Sequence, residues 1–103
     1  MRVAIPHSLP REEVRRRLRT RSHEIADHIP GGMAEVETDW LDEDRMAIGI
    51  AMMGQRLDGH ILVEDGQMVF EMTLPPMLGF IEPIVANAVR GSGTKMLEGP
   101  ASD

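Results

Sequence analysis

Arg45-Met46-Ala47-Ile48-Gly49-Ile50-Ala51-Met52-Met53 is the stretch that decides the fold. Met46, Ile48, Ile50 and Met52 alternate with Ala47, Gly49, Ala51 and Met53, so a strand built from it is apolar on both faces and belongs inside a sheet. Its neighbours alternate on one face only. Val36, Thr38 and Trp40 share a side opposite Glu35, Glu37 and Asp39, and Asp42-Glu43-Asp44 then turns the chain. Beyond Gly54-Gln55-Arg56, Leu57, Gly59, Ile61 and Val63 alternate with Asp58, His60, Leu62 and Glu64. Asp65-Gly66 is a strong hairpin signal. Met68, Phe70, Met72 and Leu74 then face away from Val69, Glu71 and Thr73.

Helical signals flank this run of four strands. Residues 2–6 read as a short first strand, closed where Pro6 lacks a ladder donor. Ser8 reads as an N-cap, with Pro10 in the first turn of a helix from Pro10 to His28. Val14, Leu18, Ile25 and Ile29 form its apolar stripe, and Pro30-Gly31-Gly32 ends it. After Leu74-Pro75-Pro76, a first turn is expected over 76–81. A second helix is expected from about 83 to 90, divided from the turn by Pro83. Arg90-Gly91-Ser92-Gly93-Thr94 reads as its end, leaving one α+β domain over 1–90 and a flexible tail over 91–103.

These faces predict an α+β two-layer sandwich of order β-α-β-β-β-β-α. The sheet is curled and mainly antiparallel, with both helices on its Met/Ile/Phe face. The other face carries Glu37, Asp39, His60 and Glu71 around an apolar patch at Ala47, Gly49, Ala51 and Leu62, either solvated or a homodimer contact. Strand order does not follow from the pattern.

The chain has 103 residues and no cysteine, which excludes disulfides and thiolate chemistry. Its longest apolar run, from Met46 to Gly54, is far below the ~20 residues of a membrane span. Pro6 and His7 precede any apolar stretch, so no secretory signal is expected and a cytoplasmic location is the default. The net charge of −6 is unevenly placed: +5 over residues 1–22 and −11 over 23–103. Arg11, Arg15, Arg16, Arg17, Arg19 and Arg21 crowd the first helix. Glu12–Arg16 and Glu13–Arg17 are i,i+4 pairs of about 0.2–0.5 kcal/mol each. Arg21 lies within the arc of the apolar stripe, which leaves Arg11, Arg15 and Arg19 as candidate binders of an acidic partner. Nucleic-acid binding is not expected, because no aromatics interleave with the arginines and the protein is acidic.

Chemistry-bearing constellations are weak. His7, His23, His28 and His60 show no metal-ligand spacing, so no metal and no cofactor are expected. Ser8, Ser22, Ser92 and Ser102 sit in no nucleophile elbow, and Gly91-Ser92-Gly93-Thr94-Lys95 lacks phosphate-loop spacing. No enzymatic activity is expected. Met46, Met52, Met68, Met72 and Met77 are assigned to the inner face, as core or as a deformable site for an acyl chain. The final segment, Met77, Leu78, Phe80, Ile81, Ile84 and Val85, suits either docking on the sheet or adsorbing to an apolar surface.

Several landmarks occur in a fixed order: Ile5-Pro6-His7-Ser8-Leu9, the Arg/Glu helix, Trp40, Gly59-His60-Ile61, Leu74-Pro75-Pro76-Met77-Leu78 and Ile81-Glu82. Over residues 1 to about 89 they resemble the polyhydroxyalkanoic acid system proteins, a small bacterial family associated with polyester storage granules. Pro83 and Gly91-Ser92-Gly93 depart from that pattern. The resemblance implies a non-enzymatic binding or structural protein that contacts the polyhydroxyalkanoate granule or granule proteins, with no catalytic residues to carry over. It makes Met77, Phe80 and Ile81 the candidate granule contacts, beside Arg11, Arg15 and Arg19 for a charged partner. The alternative is a small carrier holding an apolar or acyl ligand between sheet and helices.

Overall fold

Alternation along the chain builds a five-stranded antiparallel sheet in a computed structural model that describes residues 1–28, 34–52 and 54–98. The elements are β1 (Arg2–Pro6), α1 (Arg11–Arg21), α2 (Glu24–Asp27), β2 (Glu35–Asp42), β3 (Arg45–Met52), β4 (Gln55–Glu64) and β5 (Gln67–Thr73). A 3₁₀ segment (Pro76–Ile81) and α3 (Glu82–Met96) follow. The order β-α-β-β-β-β-α and the α+β class are those read from the pattern. Ile29, the Pro30-Gly31-Gly32 stop, Met53, Ser102 and the rest of the expected tail from 99 onward lie outside the described residues.

Spatial order is β1-β5-β4-β3-β2. The last four strands form a meander, and β1 closes on β5 with Val3 opposite Phe70 and Ile5 opposite Met68. Gly54 and Gly66 take positive φ (73° and 81°) in two of the meander's turns, where L side chains are strained. Asp44 stays in the β2–β3 turn, its N–H donating to Asp42 Oδ1 and its carbonyl accepting from the Val63 N–H.

The core lies between the inner face of the sheet and the helices. Met46, Ile48, Ile50, Leu57, Ile61, Val63, Met68, Phe70 and Met72 pack there with Val14, Leu18, Ile25, Val85, Ala88, Val89 and Met96. Phe70 is at its centre and fully buried, paired across strands with Val3 and Ile61. Gly59 stands on this inner face opposite Ile48 and Met72. A Cβ there would run into the Glu71 carbonyl oxygen and stand 2.7 Å from Met72 Cγ, so β4 and β5 approach only because this residue has no side chain.

Three expectations are corrected. First, Ser8 does not cap the first helix. Pro10 occupies the cap position with extended backbone (φ −63°, ψ 151°) and no side-chain cap, while the Leu9 N–H donates to His7 Nδ1. Second, the single helix from Pro10 to His28 is two. The Ile25 N–H bonds back to Ser22 and the Ala26 N–H to His23, tightening the chain to i→i+3 bonds between α1 and α2.

Third, the C-terminal helix does not end near residue 90, and residues 91–96 are not tail. Pro83 sits in the first turn of α3, where its missing N–H costs nothing, and the helix runs through Gly91-Ser92-Gly93 to Met96. Each glycine costs about 1 kcal/mol relative to alanine in an isolated helix. Burial reverses the balance: Gly93 lets α3 lie directly on Ile5 and Met68, and Met96 is fully buried. Arg17 then closes the end, its Nη1 donating to the carbonyls of Met96 (3.2 Å) and Glu98 (2.9 Å).

Glu13–Arg17 is therefore no surface pair. Both side chains are nearly inaccessible, with Nε donating to Oε2 at 2.7 Å. Arg17→Met should lower unfolding free energy by about 1–3 kcal/mol, because two helix-end carbonyls lose their donor while the Glu13 carboxylate keeps Arg16. Gly59→Ala should cost about 1–3 kcal/mol through the β4–β5 clash. Urea unfolding of both variants beside the parent checks each value.

Candidate interaction surface

The arginines of α1 are engaged within the molecule. Arg11 and Arg15 reach across to Asp44 in the β2–β3 turn: Arg11 Nη1 donates to Oδ2 at 2.8 Å, and Arg15 Nη2 to Oδ1 at 2.6 Å. Arg11 Nε also donates to Asp65 at 2.8 Å. Arg16 is held by Glu13, not by the expected Glu12, and Arg21 by Glu24. Arg19 lies over the Trp40 ring, 5.6 Å from its centroid. The expectation that Arg11 and Arg15 lack an acidic partner is corrected: Asp44 and Asp65, distant in sequence, pair with them, while Arg19 has the Trp40 ring. No helical i,i+4 count reveals Asp44, which stands 29 residues from Arg15.

The Arg15 hydrogen bond is the largest effect on the Asp44 carboxyl, and with the charges of Arg15 and Arg11 it holds that group below the usual carboxylate range against the opposing desolvation. Glu24 is lowered in the same way, first by its hydrogen bond from Arg21. A lowered folded pKa means stability that is present above the ordinary carboxylate pKa and lost as pH falls through the folded value. The stability difference between parent and Asp44→Asn should therefore be largest at neutral pH and vanish in acid. Thermal melts of both proteins between pH 7 and pH 2 measure it.

The C-terminal segment divides sharply. Ile81 is buried, 1% exposed, with Val85 and Val89 beneath it, so its expected role as a surface contact is corrected. Met77, assigned above to the inner face, is instead 86% exposed, and Phe80 is 66% exposed. Ile84 continues the same stripe at 41%. The spacings 77, 80 and 84 are one turn of 3₁₀ helix and one of α-helix, which puts the three side chains on one side of the segment. Pro75 and Pro76 set the entry of this segment, with Pro75 extended at φ −57° and ψ 145°. Glu82 and Pro83 flank the stripe, both exposed. The side chain of Leu78 lies outside those described.

The outer face of the sheet carries a broad open hollow of about 1020 Å³, floored by Ala47 and Gly49 and walled by Glu37, Arg56, Asp58, His60 and Glu71. Arg56 crosses its floor directly over Gly49, its Nη1 donating to Glu37 and its Nε to Asp58, each at 2.9 Å. It interrupts the small-residue patch at Ala47, Gly49 and Ala51. A separate apolar spot lies beside it, where Val69 is fully buried between Leu62 and Ala4 in neighbouring strands. Sequence reading passed over Val69, since its alternation marked only an outward residue.

On the inner side, Met46, Met52, Met68 and Met72 belong to the contiguous core. Two enclosed polar atoms, His7 Nε2 and Ser92 Oγ, have no hydrogen-bond partner among the described residues. Among the described residues, no three His, Asp or Glu side chains are grouped to hold a metal ion. No described helix is long and apolar enough to cross a membrane. Compared with protein-family models, curated proteins and solved structures, the chain gives no match.

Proposed function

We propose that this chain is a non-enzymatic binding protein of the polyhydroxyalkanoate storage system, meeting the cytoplasmic granule surface or its proteins through the stripe Met77, Phe80 and Ile84. The observation that carries the reading is the exposure of two large apolar side chains, Met77 and Phe80, next to a residue, Ile81, that anchors the same segment in the core. A segment clamped by Ile81 and Val85 presents its outer side chains without ordering anything new, so little conformational entropy opposes adsorption. Each large apolar side chain taken out of water contributes about 1.5–3 kcal/mol. The family resemblance supplies the surface: a solid polyester, apolar in bulk and extended enough to meet all three residues. Arg11, Arg15 and Arg19 are left out of this reading because Arg11 and Arg15 are paired with Asp44 and Arg19 lies over the Trp40 ring.

Cosedimentation with isolated polyhydroxybutyrate granules tests it, at low and high salt and beside an unrelated acidic protein. Binding should resist salt and be absent from the control. The double variant Met77→Glu with Phe80→Glu should lose it by at least tenfold while its circular dichroism is unchanged, since neither side chain supports the core. Parent protein that stays in solution, or a double variant that sediments like the parent, would sink the proposal. Ile81→Glu is no substitute for this test, because it would bury a charge and unfold the protein.

A further inference from the structure

We infer that the free edge of β2 is a docking strand for an extended basic segment of a partner protein, added to the sheet as a sixth strand. Among the described residues β2 ends the sheet, paired on one side only, with β3. It runs from Glu35 to Asp42, pairs regularly over Glu35–Trp40 with a register shift before Asp42, and contains neither proline nor glycine. The opposite edge, β1, has five residues and ends in Pro6. An edge strand carries a row of backbone N–H and C=O groups without ladder partners, and a second extended chain can complete them.

Charge selects the occupant. Glu35, Glu37 and Asp39 project from the outer side at intervals of roughly 7 Å, the two-residue repeat of a strand. Their cross-strand neighbours on β3 are Ala51, Gly49 and Ala47, which offer no cation. Glu37 shares Arg56 with Asp58, and among the described residues Glu35 and Asp39 have no ion-pair partner. This contrasts with α1, where each arginine of the helix is matched by a carboxylate or a ring. On the inner side of the same edge, Val36 and Trp40 are half-buried against the core. Arg19 covers Trp40 from that side, so positive charge is already placed there.

The complement is a strand with Lys or Arg at alternate positions facing outward and aliphatic residues between them facing Val36 and Trp40. A second copy of β2 does not fit, because it would set carboxylates directly opposite carboxylates. The row of acids thus rejects self-pairing while attracting a basic partner, which is how one edge serves both solubility and specificity. This inference is independent of the apolar stripe at residues 77–84, which belongs to the other end of the chain.

The probe is the capped heptapeptide Thr-Lys-Val-Lys-Val-Lys-Thr, titrated into the ¹⁵N-labelled full chain, with Thr-Glu-Val-Glu-Val-Glu-Thr as control. Amide shifts should concentrate in residues 35–42 and slow hydrogen exchange there, and affinity should fall as salt rises. Glu35→Gln with Asp39→Asn should bind the basic peptide roughly fivefold more weakly, the combined effect of two exposed ion pairs. Both positions are exposed, so the variant keeps the fold, and its unshifted core amides verify that. Equal binding of the acidic peptide, shifts confined to residues outside 35–42, unchanged affinity in the double variant, or no shift at millimolar peptide would each overturn the inference.

Discussion

The buried Glu13–Arg17 pair is the constraint on which the arrangement of helices depends. Two charges removed from water are tolerated only where geometry and further hydrogen bonds satisfy them. Here Arg17 meets the Glu13 carboxylate on its own helix and two carbonyls at the end of α3. One guanidinium therefore joins the start of the chain to its last described turn. α3 in turn crosses β1 through Gly93, and among the described residues β1 pairs with β5 alone. Loss of the pair would loosen the whole N-terminal strand and helix along with the C-terminal helix.

Around that clamp, charges are sorted by distance from the core. The α1 arginines nearest the sheet turns are drawn to Asp44 and Asp65, and the one nearest the edge strand covers Trp40. The helix that looks in isolation like a cationic module is electrostatically matched once folded. Along β2, Glu37 shares Arg56 with Asp58, and among the described residues Glu35 and Asp39 have no ion-pair partner. Among the described residues the large exposed apolar side chains are Leu41 near the end of β2 and Met77, Phe80 and Ile84 in the 3₁₀ segment and first turn of α3, where Ile81 points in and Phe80 points out. Both proposed surfaces consist of groups that the core does not enclose.

Most of the sheet was legible residue by residue. Met46, Ile48, Ile50 and Met52 alternate with small residues, and that two-sided apolar run does occupy an interior strand, β3. Asp65-Gly66 marked its hairpin through the positive φ that only glycine adopts freely. The candidate site was less legible. Met77, Phe80 and Ile81 are equivalent by composition, yet one is core and two are surface, because the three-residue repeat of the 3₁₀ segment puts 77 and 80 on one side and turns 81 away from it. Arg11 and Arg15 read as free cations because their partner is remote along the chain.

Local physics, acting over a few residues, determined the strands, their turns, the α+β class and the two faces of the sheet. These follow from two-residue alternation and from the backbone freedom of glycine and proline, which need no distant partner. Tertiary structure alone decided the strand order, the passage of α3 through Gly91-Ser92-Gly93, and the burial of Glu13 and Arg17. Each depends on a contact between residues far apart in sequence, and such contacts outweigh local propensity because burying apolar area and satisfying enclosed polar groups contribute more free energy than a helix-breaking glycine costs.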